Sequence, residues 1–202
     1  MNDTNPLLLG PIIGGLSHTG VKLWGRAPQA ATLHAWLSSA SPEQAQPAGK
    51  TSVTAAAGFA GIVEITDLQP ETTYHYALTL SDHLPPAASF RTFKTAPVPG
   101  QPRTFRFAFG SCFLPGAGAS AGQAFRRMLE NHDDLSFALM LGDQVYADEW
   151  KHNGLGRVAV DKADFRAVYQ HTWSNPALRE FLRRTPVYTR YSRFSTVTIL
   201  TR

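Results

Sequence analysis

Three side chains with the chemistry of metal ligands follow two predicted strands of this sequence. Cys112 lies shortly after the apolar stretch Thr104–Phe109. Asp143 follows the stretch Leu135–Leu141 after a single glycine, and Tyr146 comes three residues later. Sulfur, carboxylate and phenolate oxygen together favour a hard, highly charged transition metal such as ferric iron. The alternative from the residues alone is a small buried cysteine, an aspartate that caps a helix and a packed tyrosine.

The elements around these residues predict a βαβ unit. A strand over Thr104–Phe109 is followed by a glycine-rich loop, a helix over Ala121–Glu130 and a second strand over Leu135–Leu141. A right-handed crossover makes such strands parallel, so their carboxyl ends lie at one edge of the sheet. Open α/β sheets bind ligands at that edge. Two further helices are predicted, each with an N-cap and the second with proline at its first position: Lys162–Trp173 after Asp161, and Pro176–Arg184 after Asn175.

The first half of the chain is predicted to be all-β. Short runs with partial alternation, separated by Gly, Pro, Ser and Asn, predict a small β-sandwich. They are Val21–Arg26, Thr32–Leu37, Thr51–Ala55, Gly61–Thr66, Tyr74–Leu80 and Ala88–Lys94, with Ser38–Gly49 interpreted as a loop. The proline-rich stretch Thr95–Pro102 is the predicted boundary, giving a sandwich over 1–97 and an α/β domain over 103–202.

Composition restricts the function classes further. With 43% hydrophobic and 17% charged residues, the chain is typical of globular proteins, and no apolar run has the length of a membrane span. The net charge is +4, but no aromatic residues are interleaved with the basic ones, so nucleic-acid binding is not predicted. The sequence contains one cysteine, which excludes an internal disulfide, and the first residues show no signal peptide or twin arginine. We therefore predict a cytoplasmic monomer.

The segment Leu68–Tyr76, LQPETTYHY, resembles the strand-entry signature of fibronectin type III domains. By this resemblance Leu68 enters the core, Pro70 sets the turn and Tyr74 makes a tyrosine corner. Trp24 lies where such domains bury a tryptophan. Trp24 and Tyr74 are therefore predicted to be core residues and not site residues.

Two motifs of the second half resemble the PhoD-like alkaline phosphatase/phosphodiesterase family. They are FRFAFGSC over 105–112 and LMLGDQVYADE over 139–149, in the family's order and spacing. The layout agrees, since that family has a fibronectin-like sandwich before a metallophosphatase domain. The resemblance covers residues 8–188. The predicted fold class is therefore all-β plus α/β: an immunoglobulin- or fibronectin-III-like β-sandwich followed by an incomplete metallophosphatase domain.

The resemblance also implies a reaction and a metal site. Cys112, Asp143 and Tyr146 would bind ferric iron and calcium, with Asp143 shared between metals as the catalytic carboxylate. The implied reaction is the hydrolysis of phosphate monoesters and diesters. Ser111 and Gln144 would support the site, and Asp148 and Glu149 would be second-sphere or structural groups. A secreted or periplasmic location is the family's alternative to the cytoplasm.

The end of the sequence departs from the family. After Tyr188 the family continues into a strand that ends in a WDDHE-like motif and later supplies more ligands. Here the tail over 189–202 reads TRYSRFSTVTILTR, and no Asp, Glu or His follows Glu180. This pattern predicts a truncated or frameshifted copy. A non-catalytic remnant that carries a fibronectin-like module is therefore an alternative function.

Two other enzyme classes remain as alternatives. The glycines of Gly116–Gly122 match GxGxxxG, and Asp143 ends the second strand as a ribose-binding acid would, which is typical of dinucleotide-binding oxidoreductases. However, this loop begins seven residues after Phe109, too far to bring a pyrophosphate to the helix N-terminus. A cysteine hydrolase would pair Cys112 with His132 or His171, but neither histidine has a visible orienting partner.

Overall fold

The computed structural model describes residues 7–115 and 121–189, which form two compact units. The first unit comprises the described residues up to 105 together with 182–186, and the second comprises 106–181 and 187–189. The atypical tail over 190–202 and the first glycines of the GxGxxxG match, at 116 and 118, lie outside the described residues.

The first unit is a β-sandwich. Its strands are β1 (Leu9–Gly14), β2 (Val21–Arg26), β3 (Ala31–Ser38), β4 (Gln46–Val53), β5 (Ala60–Ile65), β6 (Thr73–Thr79) and β7 (Arg91–Lys94). One sheet has the order β1-β2-β5 and the other β4-β3-β6-β7, with every pairing antiparallel. The predicted sandwich is confirmed.

Alternation along the strands places the core of this unit between the two sheets. In β2, Val21 and Leu23 are buried, whereas Lys22 is exposed, as expected for a strand with one face against a core. Trp24 lies on the opposite side of β2 from Leu23 and is only half-buried. Its prediction as a core residue is therefore wrong. The buried tryptophan is Trp36, in a separate cluster with Ala45, Ala77 and Phe90.

Two local predictions for this unit are also wrong. The segment Ser38–Gly49 is not a loop throughout, because β4 begins at Gln46 and pairs with β3. Strand β1 was not predicted, since its sequence LGPIIG contains the Gly and Pro residues that usually break strands. Ile12 and Ile13 nevertheless pair with β2, so tertiary pairing overrides the local signal here.

The tyrosine corner is confirmed. Leu68 and Tyr74 are both buried, and the backbone N–H of Gln69 donates a hydrogen bond to the Tyr74 hydroxyl at 2.9 Å. Thr95 adds a second tie, because its hydroxyl donates to the Gln69 carbonyl at 2.6 Å and accepts from the Thr72 N–H at 2.9 Å. These bonds hold the turn that leads into β6.

We expect Tyr74→Phe to lower the free energy of unfolding of the sandwich by about 1 kcal/mol, because the Gln69 N–H loses its partner while the ring stays packed. Chemical denaturation of the full chain measures this change. Tyr146→Phe, in the other unit, is the matched control and should leave the sandwich transition unchanged. An equal effect of both substitutions would contradict the role of the corner.

The second unit contains β8 (Arg106–Gly110), α1 (Gln123–Asn131), β9 (Leu135–Met140), α2 (Lys162–Trp173), α3 (Pro176–Arg184) and β10 (Val187–Thr189), the last residues of α3 being assigned to the first unit. Its sheet has the order β10-β9-β8, and both pairings are parallel. The predicted crossover is therefore confirmed. Among the described residues, no helix is long and apolar enough to cross a bilayer.

Both predicted caps are confirmed. The Asp161 carboxylate accepts a hydrogen bond from the Asp164 N–H at 2.8 Å, at the start of α2. The Asn175 side-chain oxygen accepts from the N–H groups of Ala177 and Leu178 at 3.1 and 3.2 Å, at the start of α3. These caps fix the first turns of the two helices.

The two faces of the parallel sheet differ in burial. The register places Ala108, Ala138 and Val187 on one face, and Ala138 and Val187 are buried. The other face carries Phe107 and Phe109, which are 44% and 71% exposed. Sheets of parallel strands normally have both faces covered. The second unit is therefore a partial α/β domain, as predicted.

Candidate metal centre

The candidate site begins where β8 and β9 end side by side. Gly110 is opposite Met140, and the Leu141 N–H donates to the Gly110 carbonyl at 2.8 Å. Hydrogen bonds continue beyond the strands, from the Cys112 N–H to the Gly142 carbonyl at 3.3 Å and from the Phe113 N–H to the Asp143 carbonyl at 3.1 Å. The two loops are therefore joined at the carboxyl edge of the sheet.

The backbone of both loops turns sharply at the candidate ligands. Cys112 has φ of 64° and Asp143 has φ of 44°, both in the left-handed region. A residue with a side chain costs roughly 1–2 kcal/mol in this conformation, and such residues are concentrated at functional sites. No sequence pattern signalled these two positions, because cysteine is unusual in this region and aspartate, although enriched there, occurs mostly in other conformations.

These turns bring the predicted ligands together. The Cys112 thiol donates to Asp143 Oδ2 over 3.6 Å, and the Ser111 hydroxyl oxygen lies 3.3 Å from the Cys112 sulfur. Tyr146 completes the cluster. Its pKa is raised to about 12, first by its hydrogen bond to Cys112 and by burial, and then by electrostatic interactions with Cys112, Asp143 and Asp148. The phenol is therefore protonated at neutral pH.

The spacing of the donors fits a shared metal ion. A sulfur at about 2.3 Å and an oxygen at about 2.1 Å from one metal lie roughly 3.1–3.6 Å apart for bond angles of about 90–110°. The observed 3.6 Å between Cys112 Sγ and Asp143 Oδ2 is within that range. However, within 7–115 and 121–189 no group of three or more His, Cys, Asp or Glu residues is arranged to hold a metal. The cluster of Cys112, Asp143 and Tyr146 thus supplies three donors, one of them a phenol.

The other residues of the motif have separate places. Ser111 contacts the sulfur, and Asp148 is close enough for its charge to raise the pKa of Tyr146. Glu149 pairs with His152 at 3.4 Å. Gln144 is half-buried in the loop after Asp143. Ser111 and Asp148 are thus the motif neighbours whose contacts or charge act on Cys112 and Tyr146.

Sequence reasoning missed the residues that order the loop after Tyr146. Asn153 is 1% exposed, and its side-chain amide donates to the carbonyls of Ala147 and Arg157 at 3.0 and 2.7 Å. Arg157 in turn makes a two-pronged ion pair with Asp164 of α2, both contacts measuring 2.6 Å. No motif marks these residues, since their partners lie in an irregular loop with no periodicity.

The ion pair also lowers the pKa of its carboxylate. The hydrogen bonds from the Arg157 guanidinium, followed by the one from the Val160 N–H, hold the pKa of Asp164 below its ordinary value. The contribution of this pair to stability is therefore present at neutral pH and is lost as the pH falls through the lowered pKa of Asp164.

The contacts of Cys112 bear on the alternative enzyme classes. Its contacts are with Ser111, Asp143 and Tyr146, and not with the histidines His132 and His171 that a cysteine hydrolase was predicted to use. His132 ends α1, and His171 lies in α2 against Gly154. The pairing of Cys112 with either histidine is therefore wrong.

Nearly the whole of this chain is similar in structure to part of the solved structure of PhoD. The similarity covers 95% of this chain and 40% of PhoD, with a TM-score of 0.78 and 21% sequence identity. This chain thus spans less than half the length of PhoD. At this identity the match establishes the fold.

Smaller β domains match the chain more weakly. The sensor domain of the anti-sigma factor RsgI4 from Pseudobacteroides cellulosolvens covers 47% of this chain with 99% of its own length, at 21% identity and a TM-score of 0.34. The fn3 domain of human contactin 1 covers 44% of this chain with 76% of its own length, at 16% identity and a TM-score of 0.30.

The sequence matches no protein-family model and no curated protein. The chain therefore has the fold of part of PhoD, and the predicted PhoD-like resemblance is confirmed at the level of the fold.

Proposed function

We propose that this chain provides part of the metal site of a PhoD-like phosphoric ester hydrolase. In this proposal Cys112, Asp143 and Tyr146 bind ferric iron, and Asp143 is shared with calcium. The observation that carries the proposal is the convergence of a thiol, a carboxylate and a phenol at the carboxyl edge of β8 and β9. The substrates would be phosphate monoesters and diesters.

The chemistry of the three donors supports this choice of metal. A thiolate and a phenolate are deprotonated ligands, and a trivalent ion offsets the loss of both protons. Because the pKa of Tyr146 is raised to about 12, a cation that binds the phenolate would have to displace this proton. When bound, the metals would neutralise charge on the phosphate oxygens and lower the pKa of a bound water.

The residues of the chain itself would hold and orient the phosphate. Cys112 and Asp143 are both exposed, so the edge of the sheet is open to a ligand. The Ser111 hydroxyl, next to the sulfur, can donate a hydrogen bond to a phosphate oxygen or to the thiolate. Residues 101–202 carry fourteen Lys and Arg against nine Asp and Glu, a positive balance that favours anionic substrates.

A non-catalytic role is the second candidate. It is favoured by the donor count, because three ligands from the described residues are fewer than a site for iron and calcium requires. In that case the chain would retain the β-sandwich as a binding module, and the α/β unit would have no turnover. Metal binding and hydrolysis, measured separately, distinguish the two candidates.

We expect the full-length, metal-free chain to bind one equivalent of Co²⁺, with a thiolate-to-cobalt absorption band that Cys112→Ser removes. Cobalt is the probe because its sulfur ligands give visible absorption. Asp133→Asn, an exposed carboxylate of the same unit, is the control and should leave the band intact. Binding that Cys112→Ser leaves unchanged, or no binding at all, would exclude Cys112 as a ligand.

Turnover is then measured with a chromogenic phosphodiester in the presence of iron and calcium. Hydrolysis that Cys112→Ser abolishes supports the hydrolase. Cobalt binding without hydrolysis supports the non-catalytic candidate, because the three-donor cluster would then exist without the remainder of a catalytic site.

A further inference from the structure

The loop that follows the candidate metal centre is closed by one buried amide. The side-chain nitrogen of Asn153 donates to the carbonyls of Ala147 and Arg157, and its side-chain oxygen accepts from the Leu155 N–H at 2.8 Å. The Ala159 N–H donates to the same Ala147 carbonyl at 3.0 Å. Two hydrogen bonds from distant parts of the loop therefore converge on the residue directly after Tyr146.

The far end of this loop is tied to α2. The backbone of Arg157 is held by Asn153, and its guanidinium is held by the Asp164 carboxylate, which also accepts from the Val160 N–H at 3.0 Å. Gly154 has φ of 81°, and a Cβ there would lie 2.5 Å from the His171 ring. The loop is thus pressed against α2 at a position that only glycine can occupy.

We propose that Asn153 is a positioning residue, which fixes Ala147 and so seats Tyr146 against Cys112. The inference rests on the proposed function, since Tyr146 is one of its ligands, but the hydrogen bond between Tyr146 and Cys112 belongs to the chain itself and is tested without metal. Tyr146 and Ala147 are adjacent, so any displacement of the Ala147 carbonyl moves the phenol.

The side chain at 153 must be an amide for this role. Asparagine uses two donors and one acceptor here, and all three meet partners. Aspartate retains the acceptor for the Leu155 N–H but turns an oxygen towards two carbonyls. Asn153→Asp therefore removes the hydrogen bond to the Ala147 carbonyl but keeps the one from the Leu155 N–H, whereas Asn153→Ala removes both.

The test uses the alkylation rate of Cys112 in the full-length, metal-free chain at fixed pH, with iodoacetamide as the probe. Cys112 is the only cysteine of the sequence, so the rate reports one site. We expect Tyr146→Ala to raise the rate several-fold, because the sulfur loses its hydrogen bond with the phenol. Asn153→Ala and Asn153→Asp should raise it by a similar factor.

Controls separate positioning from general loosening. Asn131→Ala removes an exposed asparagine whose amide donates within α1, and it should leave the rate unchanged. In the double variant Asn153→Ala/Tyr146→Ala the rate should equal that of Tyr146→Ala alone, because both changes remove the same contact. Additive rates would mean that Asn153 acts on the fold and not through Tyr146.

Other outcomes also decide the inference. If Asn153→Ala or Asn153→Asp reacts at the wild-type rate, Asn153 does not position Tyr146 and the proposal is wrong. If Tyr146→Ala reacts at the wild-type rate, the contact between Tyr146 and Cys112 does not affect the thiol, and the proposal is also wrong. If circular dichroism shows that Asn153→Ala is unfolded, Arg157→Ala decides, since that side chain is 57% exposed. It should give a smaller increase, and no increase overturns the proposal. Absence of cobalt binding by the wild type would remove the metal proposal and leave the seating of Tyr146 measurable.

Discussion

Replacing Asp143 with asparagine is expected to weaken Co²⁺ binding by at least about 100-fold, more than the loss of an outer hydrogen-bonding partner usually causes. Asp143 Oδ2 lies 3.6 Å from the Cys112 sulfur, and the carboxylate charge also acts on Tyr146. Asparagine has the same shape but no charge. It also tolerates the left-handed backbone at this position, where φ is 44°, so the loop is retained.

Equilibrium dialysis of the full-length chain against Co²⁺ measures this effect. Asp133→Asn removes a carboxylate of the same unit that is exposed and belongs to the segment before β9, and it should leave the affinity unchanged. Equal affinities for the wild type and Asp143→Asn would show that the carboxylate is not a ligand. A loss of affinity in both variants would indicate a general effect of charge.

The position of the candidate site could be predicted from the sequence because it depends on topology. Two apolar strands joined through a helix are parallel for reasons of handedness, so whatever follows them meets at one edge. Cys112 and Asp143 follow those strands, and the structure brings them within 3.6 Å. The sequence did not show the backbone conformation that orients these side chains. The positive φ values at Cys112 and Asp143 accompany hydrogen bonds between the two loops, which no local pattern encodes.

The support of the site was unpredictable for a different reason. Asn153, Arg157 and Asp164 act through hydrogen bonds to main-chain carbonyls, N–H groups and one another, across a stretch with no strand or helix pattern. Asp164 was predicted only as part of the helix Lys162–Trp173, whose bounds the structure confirms. Single residues in irregular loops produce no periodic pattern in the sequence, so the sequence does not show which of them are buried.

The sandwich shows the same limit in its core. Alternation predicted the strand Val21–Arg26, but it could not decide which tryptophan is enclosed. Trp24 was assigned to the core by resemblance, although its strand position places it on the outer face. Trp36 is buried instead, by a cluster that includes Phe90 from the turn before β7. These partners lie in or beside other strands of the same sheet, so the strand that carries Trp36 does not encode them.

Leu33 is one of the fully buried residues of this core. It is fully buried in β3, and it faces two glycines, Gly25 of β2 and Gly61 of β5, which are opposite each other in the other sheet. A Cβ built on Gly25 or Gly61 would lie 3.6 or 3.7 Å from the same methyl group of Leu33. Methyl groups of Leu78 and Val53 lie closer, at 2.8 Å from the Gly25 Cβ position and 2.7 Å from that of Gly61, so Leu33 shares with them the space that the glycine pair leaves between the sheets.

We expect Leu33→Ala to lower the free energy of unfolding of the sandwich by about 3–5 kcal/mol, the upper part of the range for such substitutions. Neither glycine has a side chain that can move into the cavity, so only the neighbouring Leu78 and Val53 could refill it. A loss of this size is a large fraction of the roughly 5–15 kcal/mol that stabilises a typical domain. Urea denaturation of the full chain measures it, and Leu84→Ala is the matched control.

Leu84 is 43% exposed in the loop between β6 and β7, and its replacement should change the free energy of unfolding by no more than about 0.5 kcal/mol. The comparison isolates burial, because both substitutions remove the same atoms. If Leu33→Ala costs no more than Leu84→Ala, the two sheets must close over the glycine pair when the leucine is removed. The rigidity inferred here for the interface between the sheets would then be wrong.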